Sequence, residues 1–151
     1  DQNIFKTITL SEYLRRYPTQ QIINPARSSW GNKGYYEVWV EGSNAWIYPH
    51  LHMAEKRMNE LANHYYGKNE IENRAIRQAA RELLLAQSSD WAFIMKTGTA
   101  VGYAHKRFTD HILRFTRIYN EVKSHSVNLE WLRSIEEKDN IFPGINVEYF
   151  K

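Results

Sequence analysis

Residues Val101–Val122 read VGYAHKRFTDHILRFTRIYNEV. Val101, Ala104, Phe108, Ile112, Phe115, Tyr119 and Val122 recur three and four positions apart, which is one face of a helix of about six turns. Immediately upstream, Thr97–Gly98–Thr99 predicts a turn with Thr99 as the helix cap. Ser88–Ser89–Asp90 predicts a break that recaps a short helix over Trp91–Lys96. Before that break, a second long helix is expected from about Glu70 to Gln87, with Ile76, Ala79, Ala80, Leu83 and Leu84 on one face. A third carries Leu51, Ala54, Met58, Leu61 and Ala62 to about Tyr65. Asn44 is its expected cap, Pro49 fits its first turn, and Gly67 marks its stop. Downstream, Asn128 caps a last helix with Leu129, Leu132 and Ile135. The tail Ile141–Phe142–Pro143–Gly144 is expected to pack back. Near the start, Ile4, Ile8 and Leu10 with Thr7 and Thr9 read as a short extended segment. The capping-box spacing of Thr9 and Glu12 then opens a short helix over Ser11–Arg16 that Pro18 stops. The expected class is all-α: a helical bundle of three long and several short helices.

Between the connector of residues 18–29 and the first long helix lies SSWGNKGYYEVWVEGSNAWIY, Ser28–Tyr48. It holds Trp30, Trp39 and Trp46, the tyrosines Tyr35, Tyr36 and Tyr48, and three glycines. Such glycine density breaks a helix, and Asn32, Lys33, Glu41 and Ser43 do not suit a buried sheet. The stretch is therefore expected to form an aromatic-rich surface loop across one end of the bundle, with one short extended piece at Tyr35–Val40. Exposed flat rings beside polar groups suit sugars, bases or a protein face; alternatively, the tryptophans plug gaps between helices.

Length and composition limit the alternatives. A chain of 151 residues, 42% hydrophobic, 25% charged and 14% aromatic, suits one folded domain. The net charge is +3 and the pI near 9.1, but the charges are interspersed, so nucleic-acid binding rests on pI alone. With no cysteine, disulfides, thiolate metal sites and a Cys nucleophile are excluded. No signal sequence is visible, and no apolar run approaches the ~20 residues a membrane helix needs. The opening at Asp1, without an initiator Met and on the apolar NIFKTITL, is expected of a chain entered partway.

Catalytic machinery is sparse. His50 and His52, two apart on a helix, point to different sides, and the remaining histidines show no ligand spacing. Neither metal nor cofactor is expected. Lys96–Thr97–Gly98–Thr99 lacks the glycines and strand of a phosphate loop and reads as a turn. Asp90 stands at a helix break beside Trp91. It reads as a helix cap, or as a carboxylate at the bundle's end able to bond sugar hydroxyls.

Three blocks nonetheless look familiar: Ser28–Gly31, Val38–Val40 and Asn44–Glu55. With Gln78–Ile94, Lys96–Thr99 and Tyr103–Ala104, they resemble the C-terminal helical domain of glycoside hydrolase family 57, in its α-glucan branching enzyme type. The likeness spans about Ser28 to Tyr119. Thr9–Leu14 resembles the last pieces of the preceding catalytic barrel, giving residues 1–27 as barrel tail and connector and 28–151 as the helical domain. The resemblance implies a retaining transfer of α-1,4 glucan into an α-1,6 linkage by a Glu nucleophile and an Asp acid/base, both in the barrel. It implies that this chain alone is inactive, belongs to cytoplasmic glycogen biosynthesis, and helps to line and close the glucan cleft. Trp30, Trp39 and Asp90 match substrate-lining positions, whereas Trp46 and Trp91 read as structural. Its partners would be an α-glucan and the barrel, with a dimer possible for the isolated domain, and neither nucleic acid nor membrane. An amylase-like parent, or a free-standing module whose loop binds a protein, is the alternative.

Overall fold

The computed structural model describes residues 4–151; Asp1–Asn3, where the chain's opening was read, lie outside the described residues. Six α-helices follow in order: α1 Leu10–Arg16, α2 Ile47–His64, α3 Glu70–Ala86, α4 Ser89–Thr97, α5 Val101–Lys123 and α6 Leu129–Lys138. Short 3-10 turns occupy Asn32–Gly34, Tyr36–Val38 and Val147–Phe150, and no strand occurs among the described residues. The architecture is an all-α bundle in which α3 and α5 form the most extensive pairing and α2 packs on both. No helix among the described residues is long and apolar enough to cross a membrane.

The apolar stripes meet in two clusters. In the larger one, Met58 and Leu61 of α2, Ile76 and Leu83 of α3, Phe115 and Ile118 of α5 and Leu132 of α6 are sealed from solvent, and Val147 of the tail joins them. Each large side chain so buried contributes about 1.5–3 kcal/mol. The second cluster lies at the other end, where Ile47, Leu51, Trp91, Met95, Ala104 and Phe108 form the floor beneath the aromatic loop. Half-buried Ile112 touches both.

Local chemistry accounts for the helix ends. The Asn69 side chain accepts from the backbone N–H groups of Ile71 and Glu72 at the start of α3, and Asn128 does the same for Trp131 in α6. Gly98, at φ +79°, closes α4 in the left-handed region that side-chain-bearing residues avoid. The tail does pack back, but through Val147 and backbone carbonyls. Arg81 Nε donates to Ile141 O (2.9 Å) and Asn59 Nδ2 to Phe150 O (3.0 Å), while Ile141 and Phe142 stay exposed.

Four local expectations are corrected. Tyr35–Val40 is not extended: no neighbouring strand is present to accept its backbone groups, and Tyr36–Val38 instead coils into a 3-10 turn. Asn44 does not cap α2, which begins three residues later with Trp46 at the cap position. Thr99 is not the cap of α5; Ala100 holds that place, and Thr99 Oγ1 lies 3.3 Å from Thr97 Oγ1. Asp90 is not a cap either. It lies inside the first turn of α4, after Ser88 at the cap position, where a carboxylate complements the helix dipole.

Candidate functional site

The loop from Ser28 to Trp46 is held by its own polar groups. Ser29 N–H donates to Gly34 O (2.8 Å), and Ser29 Oγ donates to Tyr35 O (3.3 Å). This tight fold brings the Tyr35 carbonyl against Gly31, where an added Cβ would lie 2.2 Å from that oxygen, so only glycine fits next to Trp30. Trp39 Nε1 then donates to Trp30 O at 2.6 Å, fixing one indole against the backbone of the other. The Tyr48 hydroxyl, from the first turn of α2, donates to Trp39 O.

The result is an aromatic platform of three rings. Trp30 and Trp39 lie 5.8 Å apart and tilted by 37°. Phe93 of α4 completes the set at 6.1 Å from Trp30 and 6.3 Å from Trp39. All three separations fall in the range of favourable offset ring contacts. Beside the rings opens a recess of about 250 Å³ lined by Ser29, Trp30, Gly31, Val38 and Phe93. Trp30 remains 75% exposed although it is the largest side-chain type, so its face is available to a ligand.

Of the sequence-predicted residues, Trp30 and Trp39 come together directly. Asp90 does not touch them: it is exposed, and among the described residues its carboxylate accepts only from Ser88 Oγ (3.3 Å). It precedes Phe93 by three residues in α4, which places it on the same side of that helix, one turn along. Phe93 itself was missed by sequence reasoning, because an apolar residue in a short helix reads as core. Its three-residue spacing from Asp90 was the available signal. Trp91 is buried and donates from Nε1 to Leu85 O (2.7 Å). Trp46 packs edge-on to Phe108 with ring centroids 5.2 Å apart, so neither joins the platform.

A second tie joins loop to helix. Ser43 donates from its hydroxyl and its backbone N–H to Glu41, and Lys96 of α4 lies 3.1 Å from the same carboxylate. Those hydrogen bonds, with the ammonium, hold the Glu41 carboxyl at about 2, below its ordinary 4.5. Because folding depresses this pKa, the tie stabilises the folded loop fully above the unfolded value and is lost as pH falls through the folded one. A loop-specific tryptophan fluorescence change is therefore expected between about pH 4.5 and 2. Glu41→Gln should show the acid-form spectrum already at pH 7; a normal spectrum there, with the acid transition retained, would contradict this role.

The remaining concentration of ionisable groups is buried between α3, α5 and the end of α6. Glu82, His111 and Asp139 bring potential ligand atoms within 4.8 Å of one another. His111 Nδ1 lies 2.7 Å from Glu82 Oε2, and Gln78 Nε2 donates to Glu82 Oε1 (2.9 Å). Two guanidiniums already answer the two carboxylates: Arg114 donates to Asp139 and lies 3.8 Å from Glu82, and Arg107 donates to Asp139 at 3.4 Å. Adding a divalent cation would leave excess positive charge in a buried site, so the group acts as an ion-pair lock between helices. His50 and His52 both face solvent.

Comparison with known proteins gives a consistent picture. A family model described as the C-terminal part of 1,4-alpha-glucan branching enzyme matches residues 50–150. The 1,4-alpha-glucan branching enzyme TK1436 of Thermococcus kodakarensis is 37% identical over 147 residues, 94% of this chain but 22% of its own length. Among solved structures, the GH57-type branching enzyme of Pyrococcus horikoshii matches with a TM-score of 0.86 and 34% identity, over 98% of this chain and 29% of its own. TK1436, solved in complex with glucose and additives, matches with 0.88 and 34% identity, over 96% and 27%. The alpha-amylase AmyC of Thermotoga maritima matches with 0.76 and 41% identity, over 99% and 27%. The chain thus spans between 22% and 29% of the length of these relatives.

Proposed function

This chain belongs to the family of C-terminal domains of glycoside hydrolase family 57 branching enzymes, and from that premise we propose that it is the non-catalytic, glucan-lining part of such an enzyme. The observation that carries the reading is the open face of Trp30, braced by Trp39 and Phe93 beside a recess of about 250 Å³. Ring faces of this kind cover the apolar C–H faces of a pyranose, while Asp90, one turn along α4, accepts from hydroxyls at the rim. The glucose described in the TK1436 structure belongs to that protein, and it supports an α-glucan as the ligand class here. The double displacement from α-1,4 to α-1,6 linkage, with its Glu nucleophile and Asp acid/base, is assigned to a barrel outside these 151 residues. The chain alone is then inactive. Electrophoresis through a native gel containing glycogen tests the binding: the chain should be retarded, and unretarded migration would overturn the reading.

We propose that residues 1–27 are the tail end of that barrel and the connector to the bundle. Supporting this, no described residue from Ile4 to Ser28 is buried, and Phe5, Leu10, Leu14, Ile22 and Ile23 all stand in solvent, Ile22 at 96% exposure. Apolar surface of that extent marks an interaction face, and it also favours dimerisation of the isolated chain. Removing residues 1–27 should leave Tm unchanged and abolish self-association in analytical ultracentrifugation. A fall in Tm of more than about 4 °C would mean that the segment stabilises this bundle instead.

An amylase-like parent is the second reading, favoured by the 41% identity to AmyC against 34% to either branching-enzyme structure. Cytoplasmic glycogen biosynthesis goes with the first reading. Both place a glucan on the same rings.

A further inference from the structure

We infer that Asn44 is the positioning residue of the aromatic platform, a single side-chain amide that sets Trp39 of the loop against Phe93 of α4. Asn44 has 0% exposure, rare for a residue that offers two donors and two acceptor lone pairs. Its Nδ2 donates to Val38 O (2.9 Å), six positions earlier, and to Ala92 O (3.1 Å), 48 positions later in the sequence. Its Oδ1 accepts from Glu41 N–H (2.9 Å). Val38 immediately precedes Trp39, and Ala92 immediately precedes Phe93.

One NH₂ group thus ties together the two peptide units that carry the two rings. The loop has no strand partner and little buried surface of its own, so its position over α4 depends on a few polar ties. Of these, the Glu41–Lys96 pair lies at the surface, whereas the Asn44 bonds are shielded from water. Shielded donors are costly to remove: Val38 O would lose its side-chain donor, and Ala92 O, inside α4, would lose the donor that reaches it from outside its own helix. The inference rests on the platform being the glucan surface proposed above.

Asn44→Asp is the sharpest test, since it keeps the shape and replaces the NH₂ donors with an oxygen that repels both carbonyls. The 151-residue chain is followed by its indole N–H resonances and by ring–ring contacts in nuclear Overhauser spectra, with and without maltoheptaose. In the variant, the Trp39 indole N–H, which donates to Trp30 O at 2.6 Å, should shift and the Trp39–Phe93 contacts should weaken. Maltoheptaose affinity should fall by about tenfold, the order expected for one well-placed ring. The Trp131 indole, stacked under Arg117 at the far end of the bundle, should not move.

Two results would overturn the inference: unmoved Trp39 signals, or displaced rings with unchanged affinity. Should Asn44→Asp lose the Trp131 signal as well, Asn44→Ser, which keeps one donor, is measured in the same way. Loss of the Trp131 signal there too would make Asn44 a general folding residue and would also overturn it. If the unaltered chain binds no maltoheptaose, the glucan reading fails by itself, and the ring displacement still reports on the clamp.

Discussion

Arg114→Ala is expected to destabilise the chain by about 3–5 kcal/mol, the usual cost of breaking a buried ion pair from one side. Arg114 donates to Asp139, lies 3.8 Å from Glu82 and reaches Asp110 at 3.9 Å. Glu82 is fully sealed from water and Asp139 nearly so, so neither carboxylate can recover hydration when the guanidinium goes. Arg107, at 3.4 Å from Asp139, compensates in part. A domain of this size has about 5–15 kcal/mol in total, so the loss is a large share. Lys106→Ala supplies the contrast, because Lys106 pairs with Asp110 at the surface, where an exposed pair is worth about 0–1 kcal/mol. Urea unfolding of both variants checks this; equal midpoints would mean that the buried lock contributes nothing.

Trp30→Ala is expected to weaken maltoheptaose binding by about tenfold or more while leaving Tm within about 2 °C of the parent. The asymmetry follows from position. Three quarters of Trp30 faces solvent, so the fold loses little when the ring is cut away, whereas a ligand loses its main apolar contact. Trp39→Ala should be less clean, because the Trp39 ring also anchors the loop through its bond to Trp30 O. In the longer branching enzyme proposed above, Trp30→Ala should lower transfer activity without affecting expression. Isothermal titration of the chain and single-point activity of the enzyme measure the two; unchanged values in both would remove Trp30 from the site.

The helices were legible because their information is local and periodic. The stripe from Val101 to Val122 matches α5 to within a residue, and the Asn128 cap appears as expected. Spatial polar ties were not legible. Glu82 and His111 stand 29 residues apart and share no pattern, so only the packing of α3 on α5 reveals them. Asn44 precedes a helical run and so looked like its cap; the amide instead turns inward to reach Ala92. Tyr35–Val40 reads as extended through its aromatic and β-branched residues, but propensity alone cannot supply a partner strand, and none occurs among the described residues. At the candidate site, the concentration of tryptophan and glycine located the loop. The pairing of Trp30 with Trp39 depends on the turn at Gly31, and Phe93 arrives from a different element.

If these rings form a preformed glucan surface, an oligosaccharide should perturb them and leave the rest of the bundle unchanged. The most direct measurement is a titration of the 151-residue chain with maltoheptaose, following all five indole N–H resonances. A one-sided platform should bind in the millimolar range, about 4 kcal/mol. Saturable shifts confined to Trp30 and Trp39, with Trp46, Trp91 and Trp131 still, are the predicted result. No shift at saturating oligosaccharide, or shifts centred on the other three indoles, would contradict it.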